Sequence, residues 1–266
     1  MEFGFEVLAL LALAAFVAGT IDALAGGGGL ITIPALMAAG IPPVQAIATN
    51  KLQSSFGTTS AVLAFARQGR IDFRRFLWPV AGAFAGSVGG AIAIQRVDPS
   101  FLAGLVPVLL VAMAAYFLFG PKASEADRKA RLGQGALVTV MFGLGFYDGF
   151  FGPGTGSFMA TALVALFGMG LVSATAHTKL LNLASNVAAL VTLVIGGQVL
   201  WIVGLVMAAA SIAGGQLGAH LALGRAGARV IRPLLVVMSL ALTAKLLMEP
   251  DNPLVGWVKG ALGAGA

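Results

Sequence analysis

The stretch AGTIDALAGGGGLITIPALMAAGIPPVQAIATNKLQSSFGTTS, Ala18 to Ser60, decides how this chain reads. It opens as an apolar helix, breaks at the four glycines Gly26 to Gly29, and resumes for about eleven residues. Pro42 and Pro43 follow, and then a segment dense in small polar side chains. Asp22 and Lys51 are its only charges, and the sequence on either side is apolar enough to sit in a bilayer. Lipid tolerates broken backbone only where protein or a cavity satisfies its N–H and C=O groups. A broken helix with a glycine loop and an intramembrane cation is therefore how a bilayer protein builds a small polar site.

Composition puts the whole chain in that class. Hydrophobic residues make up 59% of the 266 and charged residues only 10%, with a mean hydropathy of +0.97. Soluble domains carry about 25% charged residues, so this reads as an integral membrane protein. The 37 glycines fit helices that approach closely. A net charge of +6 raises nucleic acid as a partner, but the cations cluster in short loops between apolar spans, where membrane topology accounts for them. With no cysteine there is no disulfide, thiolate metal site or cysteine nucleophile, and nothing in the motifs asks for a metal or cofactor. The N-terminus has an apolar core but carries Glu2 and Glu6 ahead of any cation. A signal peptide needs a positive start, so it reads as a retained first helix.

Apolar segments fall at 4–25, 30–40, 44–66, 76–95 and 100–119, then at 134–151, 156–169, 172–195, 200–222 and 230–248. A crossing takes about 20 residues, so 30–40 and 156–169 read as half-helices or re-entrant segments. The polar linker Pro121–Gly133 divides two halves that repeat each other. Ile21-Asp22-Ala23 matches Tyr147-Asp148-Gly149, and Gly26–Gly29 matches Gly152-Pro153-Gly154-Thr155. After a two-residue change of offset, Ala48-Thr49-Asn50-Lys51-Leu52 matches Ala176-His177-Thr178-Lys179-Leu180. Ala85-Gly86 and Gly90 then fall on Ala213-Gly214 and Gly218. Four matches in chain order indicate duplication, with 1–120 as the first transmembrane repeat, 121–133 as a polar loop and 134–266 as the second repeat. The expected fold is an all-α polytopic membrane protein of two homologous halves, broken at the glycine loops.

Loop charge tests the relation of the halves. Arg67, Arg70, Arg74 and Arg75 crowd one loop, whereas its counterpart, Gly196 to Leu200, has no cation. The next loop reverses this, with Arg96 alone in the first half and Arg225, Arg229 and Arg232 in the second. With Lys51 and Lys179 in the membrane, an odd number of crossings per half puts eleven Lys/Arg on one side and three on the other; an even number gives ten against four. The swapped loops favour inverted repeats.

The pattern G-x-x-D-A-x-A-G-G-G-G-x-x-x-x-P, then A-x-x-T-N-K-L, repeated with H-T-K in the second half, resembles the TauE/SafE family of sulfite and organosulfonate exporters. The resemblance spans nearly the whole chain. It implies a multi-pass carrier of the bacterial inner membrane for a small sulfur-containing anion of the sulfite, thiosulfate or organosulfonate class.

The residues point to an anion on their own account. Lys51 and Lys179 are repeat-equivalent, and ionisable groups in a span usually face a cavity. The glycine loops lead into short helices whose N-termini suit an oxyanion, which nominates Gly27, Gly28, Gly29, Gly154 and Thr155. Thr49, Asn50, Gln53, Ser54, His177, Thr178 and Asn182 offer hydroxyl, amide and imidazole groups in place of hydration. Asp22 and Asp148 are the candidates for a coupling proton, and a homo-oligomer stays open. Each feature has a plainer explanation: the lysines snorkelling to an interface, the aspartates capping the loops or pairing with the lysines, Thr58 to Ser60 and the G-x-x-x-G glycines serving helix packing, and His220 being structural. Lys245 is the other cation deep in a span. Two intramembrane aspartates also resemble an aspartyl intramembrane protease, and Ser157 with His177 a serine one. The aspartates' places in a tandem repeat and the repeat-equivalent lysines argue against the first, and the repeat counterpart of Gly154 to Ser157, Gly28 to Ile31, has no serine, which argues against the second. A passive anion channel shares every feature of a carrier.

Overall fold

The computed structural model describes residues 3–119 and 130–222. Those residues form nine helices and no strand: α1 Phe5–Ala25, α2 Gly29–Ala38, α3 Pro43–Arg67, α4 Phe73–Ile94, α5 Pro99–Phe119, α6 Gln134–Phe150, α7 Thr155–Ala165, α8 Leu171–Ile195 and α9 Trp201–Ala222. The all-α membrane architecture expected from the sequence holds. Four of the helices are long and apolar enough to cross a bilayer. The apolar segment at 230–248, with Lys245, and most of the 121–133 linker lie outside the described residues.

Glycine and proline set the boundaries. Pro43 opens α3, where its missing N–H has no helical partner to lose. Gly69 and Gly197, at φ +65° and +68°, follow the ends of α3 and α8. They let Arg70 N and Gln198 N reach back to the Phe65 and Leu193 carbonyls at 3.1 and 3.0 Å, closing two equivalent helix ends. The change of offset between the halves falls between the short helices and the long ones that follow. α7 is one residue longer than α2, at 11 against 10 residues, and the turn after α7 is one residue longer as well.

α1 and α2 form a hairpin. Ile41, just past α2, packs with Leu8 and Leu11 near the start of α1, so α2 returns to the end from which α1 set out. α6 and α7 repeat this from the opposite end: Arg131 N, ahead of α6, donates to Leu166 O at the close of α7, 2.9 Å away.

Between halves the packing is exchanged. α9 lies along α1 and α3, and α4 along α6 and α8. Glycines make the close approaches. A Cβ on Gly86 or Gly90 of α4 would strike the Phe142 or Phe146 carbonyl of α6, and one on Gly214 or Gly218 of α9 would strike the Phe16 or Thr20 carbonyl of α1. Small residues at such contacts let helix backbones nest, the favoured packing in lipid. These contacts advance in step: position 86 meets 142 as 90 meets 146, and 214 meets 16 as 218 meets 20. Thus α4 runs with α6, and α9 runs with α1. The main apolar core gathers Leu30, Ile31 and Ile33 of α2, Ile47 of α3, Ile94 of α4 and Leu102, Val106 and Leu110 of α5 around Phe151.

Candidate functional site

The two hairpin tips meet inside the bundle. Gly26 and Gly27 take φ of +72° and +116°, and Gly152 and Gly154 take +98° and +83°, values that L side chains rarely adopt. The approach is also too tight for a side chain. A Cβ on Gly26 would fall 2.7 Å from Ser157 N, and one on Gly152 would fall 3.0 Å from Lys51 Nζ. Ser157 Oγ donates across the junction to Gly26 O at 3.3 Å. The tips bring the starts of α2 and α7 toward each other; Leu30 N and Ile31 N turn back to Gly27 O and Gly28 O, and Thr155 N and Ser157 N to Gly152 O and Gly154 O.

Each lysine pairs with the aspartate of the other half. Lys51 Nζ lies 2.9 Å from Asp148 Oδ2, with side-chain exposures of 1% and 2%. Lys179 Nζ lies 3.1 Å from Asp22 Oδ2, with exposures of 1% and 23%. Snorkelling does not describe either lysine, because both ammoniums are buried in mid-bundle. The pairs are equivalent by repeat but differ in their surroundings. Asp22 Oδ1 accepts Gly27 N at 3.1 Å and Gly28 N at 3.4 Å, and Lys179 also donates to the Asp22 carbonyl. Asp148 accepts no backbone N–H among the described residues, and its Oδ2 has no hydrogen-bond partner beside the ammonium. Lys51 in turn donates to Asn186 Oδ1 at 3.0 Å.

Between the tips and α3 and α8 lies a cavity of about 20 Å³, room for a single water. Asp22, Gly27, Gly29, Asn50, Lys51, Asp148, Gly154, Thr155 and Asn182 line it, all of them candidates from the sequence. Ser54, Gly152, Gly156 and Asn186 complete the wall. Asn50 Oδ1 accepts from the Thr32 and Ser54 hydroxyls, which turns its amide nitrogen to the other side, where it has no acceptor among the described residues. The signal for Asn186 was helical spacing: 179, 182 and 186 share one face of α8. Lys51 and Ser54 form the matching face of α3. Lys179 borders the cavity through Asp22, its partner.

Other candidates serve the scaffold. Thr49 Oγ1 accepts Leu200 N, just ahead of α9, at 3.2 Å. Its repeat partner His177 takes Asp72 N, just ahead of α4, on Nε2 at 3.0 Å. Positions 72 and 200 are themselves repeat-equivalent, so the two bonds are one device used twice. The His177 ring also stacks on Phe76 with centroids 4.1 Å apart, and its Nδ1 lies 2.8 Å from Ser173 O. Gln53 Nε2 donates to Ser211 of α9 at 2.8 Å. Thr178 is buried with its hydroxyl unpartnered among the described residues, and Gly28 sits against α1 and donates to Asp22. Neither protease arrangement forms. The aspartates face lysines instead of sharing a proton, and His177 is committed to Asp72, away from Ser157.

Residues 11–246 match the family described as Sulfite exporter TauE/SafE. The chain is 45% identical over 258 residues to a probable membrane transporter protein of Sinorhizobium sp., covering 97% of this chain and 98% of that one. It is 46% identical over 252 residues to a probable membrane transporter protein of Haemophilus influenzae, covering 94% and 98%. To the probable membrane transporter protein YfcA of Escherichia coli K12 it is 43% identical over 244 residues, covering 91% and 90%. No solved structure matches this chain.

Proposed function

This chain belongs to the sulfite exporter TauE/SafE family, and from that premise we propose that it is a carrier for a small sulfur-containing anion in the bacterial inner membrane. The substrate class is that of sulfite, thiosulfate and the organosulfonates. The observation that carries this is the crossed pairing of Lys51 with Asp148 and Lys179 with Asp22 around the meeting hairpin tips. An ammonium buried in a span is costly, and here two are retained, each satisfied by a carboxylate from the other half. An oxyanion can take the same place on the ammonium through charge-assisted hydrogen bonds. Asn50 and Asn182 amides supply further donors, and the partial positive charge at the starts of α2 and α7 adds to the attraction.

The size of the cavity favours a carrier over a passive channel. At about 20 Å³ among the described residues it has room for a single water, too little for an anion to pass without rearrangement. Passage then requires the tips to part and the pairs to exchange partners, as in alternating access.

Purified protein in liposomes tests this. Sulfite, thiosulfate or ethanesulfonate uptake should saturate and show counterflow, which a channel lacks. The double variant Lys51→Met with Asp148→Asn removes one pair without stranding a buried charge, and should lose uptake while remaining folded. Uptake that never saturates, or that survives in the folded double variant, would overturn the reading.

A further inference from the structure

We propose that the two repeat-equivalent aspartates have different jobs: Asp148 takes up a proton when an anion occupies Lys51, while Asp22 stays ionised and holds its hairpin tip. This rests on the anion-carrier reading and assigns the proton within it.

The first step is charge balance. Lys51, Lys179, Asp22 and Asp148 together sum to zero, and three of the four are 2% exposed or less. A monoanion added to such a site leaves one uncompensated negative charge in a low-dielectric interior, which is expensive. Uptake of one proton by a carboxylate restores neutrality. The proton comes from solution, the carboxylate becomes a neutral acid, and the released ammonium binds the anion.

The second step is which carboxylate. Asp22 accepts Gly27 N and Gly28 N as well as Lys179, so its carboxylate ties the first hairpin tip to α1 and to the cation of α8. Protonating Asp22 would loosen the tip that those bonds hold. Asp148 has neither tie. Its support is Lys51, whose ammonium has Asn186 as its other partner. Once an anion draws Lys51 away, Asp148 is a buried carboxylate with no donor. The charged groups facing this position are Lys51 from α3 and, across the same cavity, Asp22 from α1 with Lys179 of α8 beyond it. Tyr147, the neighbouring residue, directs its hydroxyl to Pro153 O at 2.8 Å. Among these groups Asp148 alone loses its counter-ion when the anion binds at Lys51.

Two measurements on the full chain in nanodiscs test the assignment, with the monoanion ethanesulfonate and the dianion thiosulfate as probes because neither is protonated near neutral pH; the proton count is read from ethanesulfonate. Titration calorimetry in buffers of different ionisation enthalpy should register about one proton taken up per ethanesulfonate bound. Affinity should then fall about tenfold per pH unit where Asp148 is ionised in the free protein. Asp148→Asn should bind with no proton uptake and no pH dependence. Infrared difference spectra should show a protonated-carboxyl band appearing on binding, shifted in Asp148→Glu and unmoved in Asp22→Glu, which identifies the group even if Asp148→Asn does not fold. Binding without proton uptake, or a band that moves only in Asp22→Glu, would overturn this assignment and leave the carrier intact. Failure of both probes to bind the folded wild type would overturn the anion reading and this assignment with it.

Discussion

At the scale of single residues, the lysines read as twins in sequence and behave as unequal partners in structure. Lys51→Met would leave Asp148, 2% exposed, without a cation, a loss of about 3–5 kcal/mol for a broken buried pair. Lys179→Met should cost only about 1–2 kcal/mol, because Asp22 keeps two amide donors and is 23% exposed. Thermal unfolding of the two purified variants would show the larger drop for Lys51→Met, and equal drops would count against the inequality. The double change of Lys51→Met and Asp148→Asn should recover much of the stability. The sequence displayed both cations and both carboxylates, since charges in an apolar span stand out. It could not say who pairs with whom, because the partners lie in different halves and only the tertiary meeting of the tips joins them. For Thr49 and His177 the motif located the residues at the right depth without revealing their direction: both turn away from the cavity to take an N–H just ahead of a helix.

At the scale of elements, most boundaries were legible because lipid forces whole helices and glycine and proline end them. The half-helices at 30–40 and 156–169 became α2 and α7, 10 and 11 residues long, or about 15–17 Å at 1.5 Å per residue. That is half of a hydrocarbon core about 30 Å thick, which is why their tips meet in mid-bundle. Glycine spacing gave the packing faces but not their mates. α6 offers a contrast on a single helix. A Cβ on Gly145 would strike the Ala83 carbonyl of α4, whereas nothing among the described residues lies within 4 Å of one on Gly143. Gly145→Ala should therefore destabilise the fold by about 1–3 kcal/mol through overpacking. Gly143→Ala should be neutral or stabilise by up to about 1 kcal/mol from helix propensity. Denaturation midpoints of the two variants check this, and a harmless Gly145→Ala would mean that α4 and α6 are less tightly nested than described.

At the scale of the whole molecule, we infer that the halves are inverted in the membrane. α9 runs with α1, and α4 runs with α6, so the fourth helix of each half runs with the first of the other. Within the first half, α3 and α4 are joined by a short turn and run oppositely, as do α8 and α9 in the second. α3 runs with α9, since Thr49 meets position 200 and Gly57 meets Ser211 and Gly215. It follows that α3 and α8, the two lysine helices, run in opposite directions, as an axis in the membrane plane requires. Charge agrees with that geometry. Arg67, Arg70, Arg74, Arg75 and Arg131 gather at one end, where Gln134 Nε2 donates to Arg75 O at 2.9 Å. The turn between α8 and α9 lies at the other end, beside Gln95 and Arg96, with no cation of its own. By the positive-inside rule the arginine end is expected to face the cytoplasm. In a chain without native cysteine, Gln68→Cys in the turn after α3 should label from the cytoplasmic side. Gln198→Cys, in the corresponding turn after α8, should label from the opposite side. Gln198 serves better than Gly197, whose φ of +68° a cysteine would strain. An impermeant maleimide applied to spheroplasts and to inverted vesicles separates the two faces. Labelling of both positions from one side would remove the in-plane axis, and with it the crossed exchange of ion pairs as a route between the two sides of the membrane.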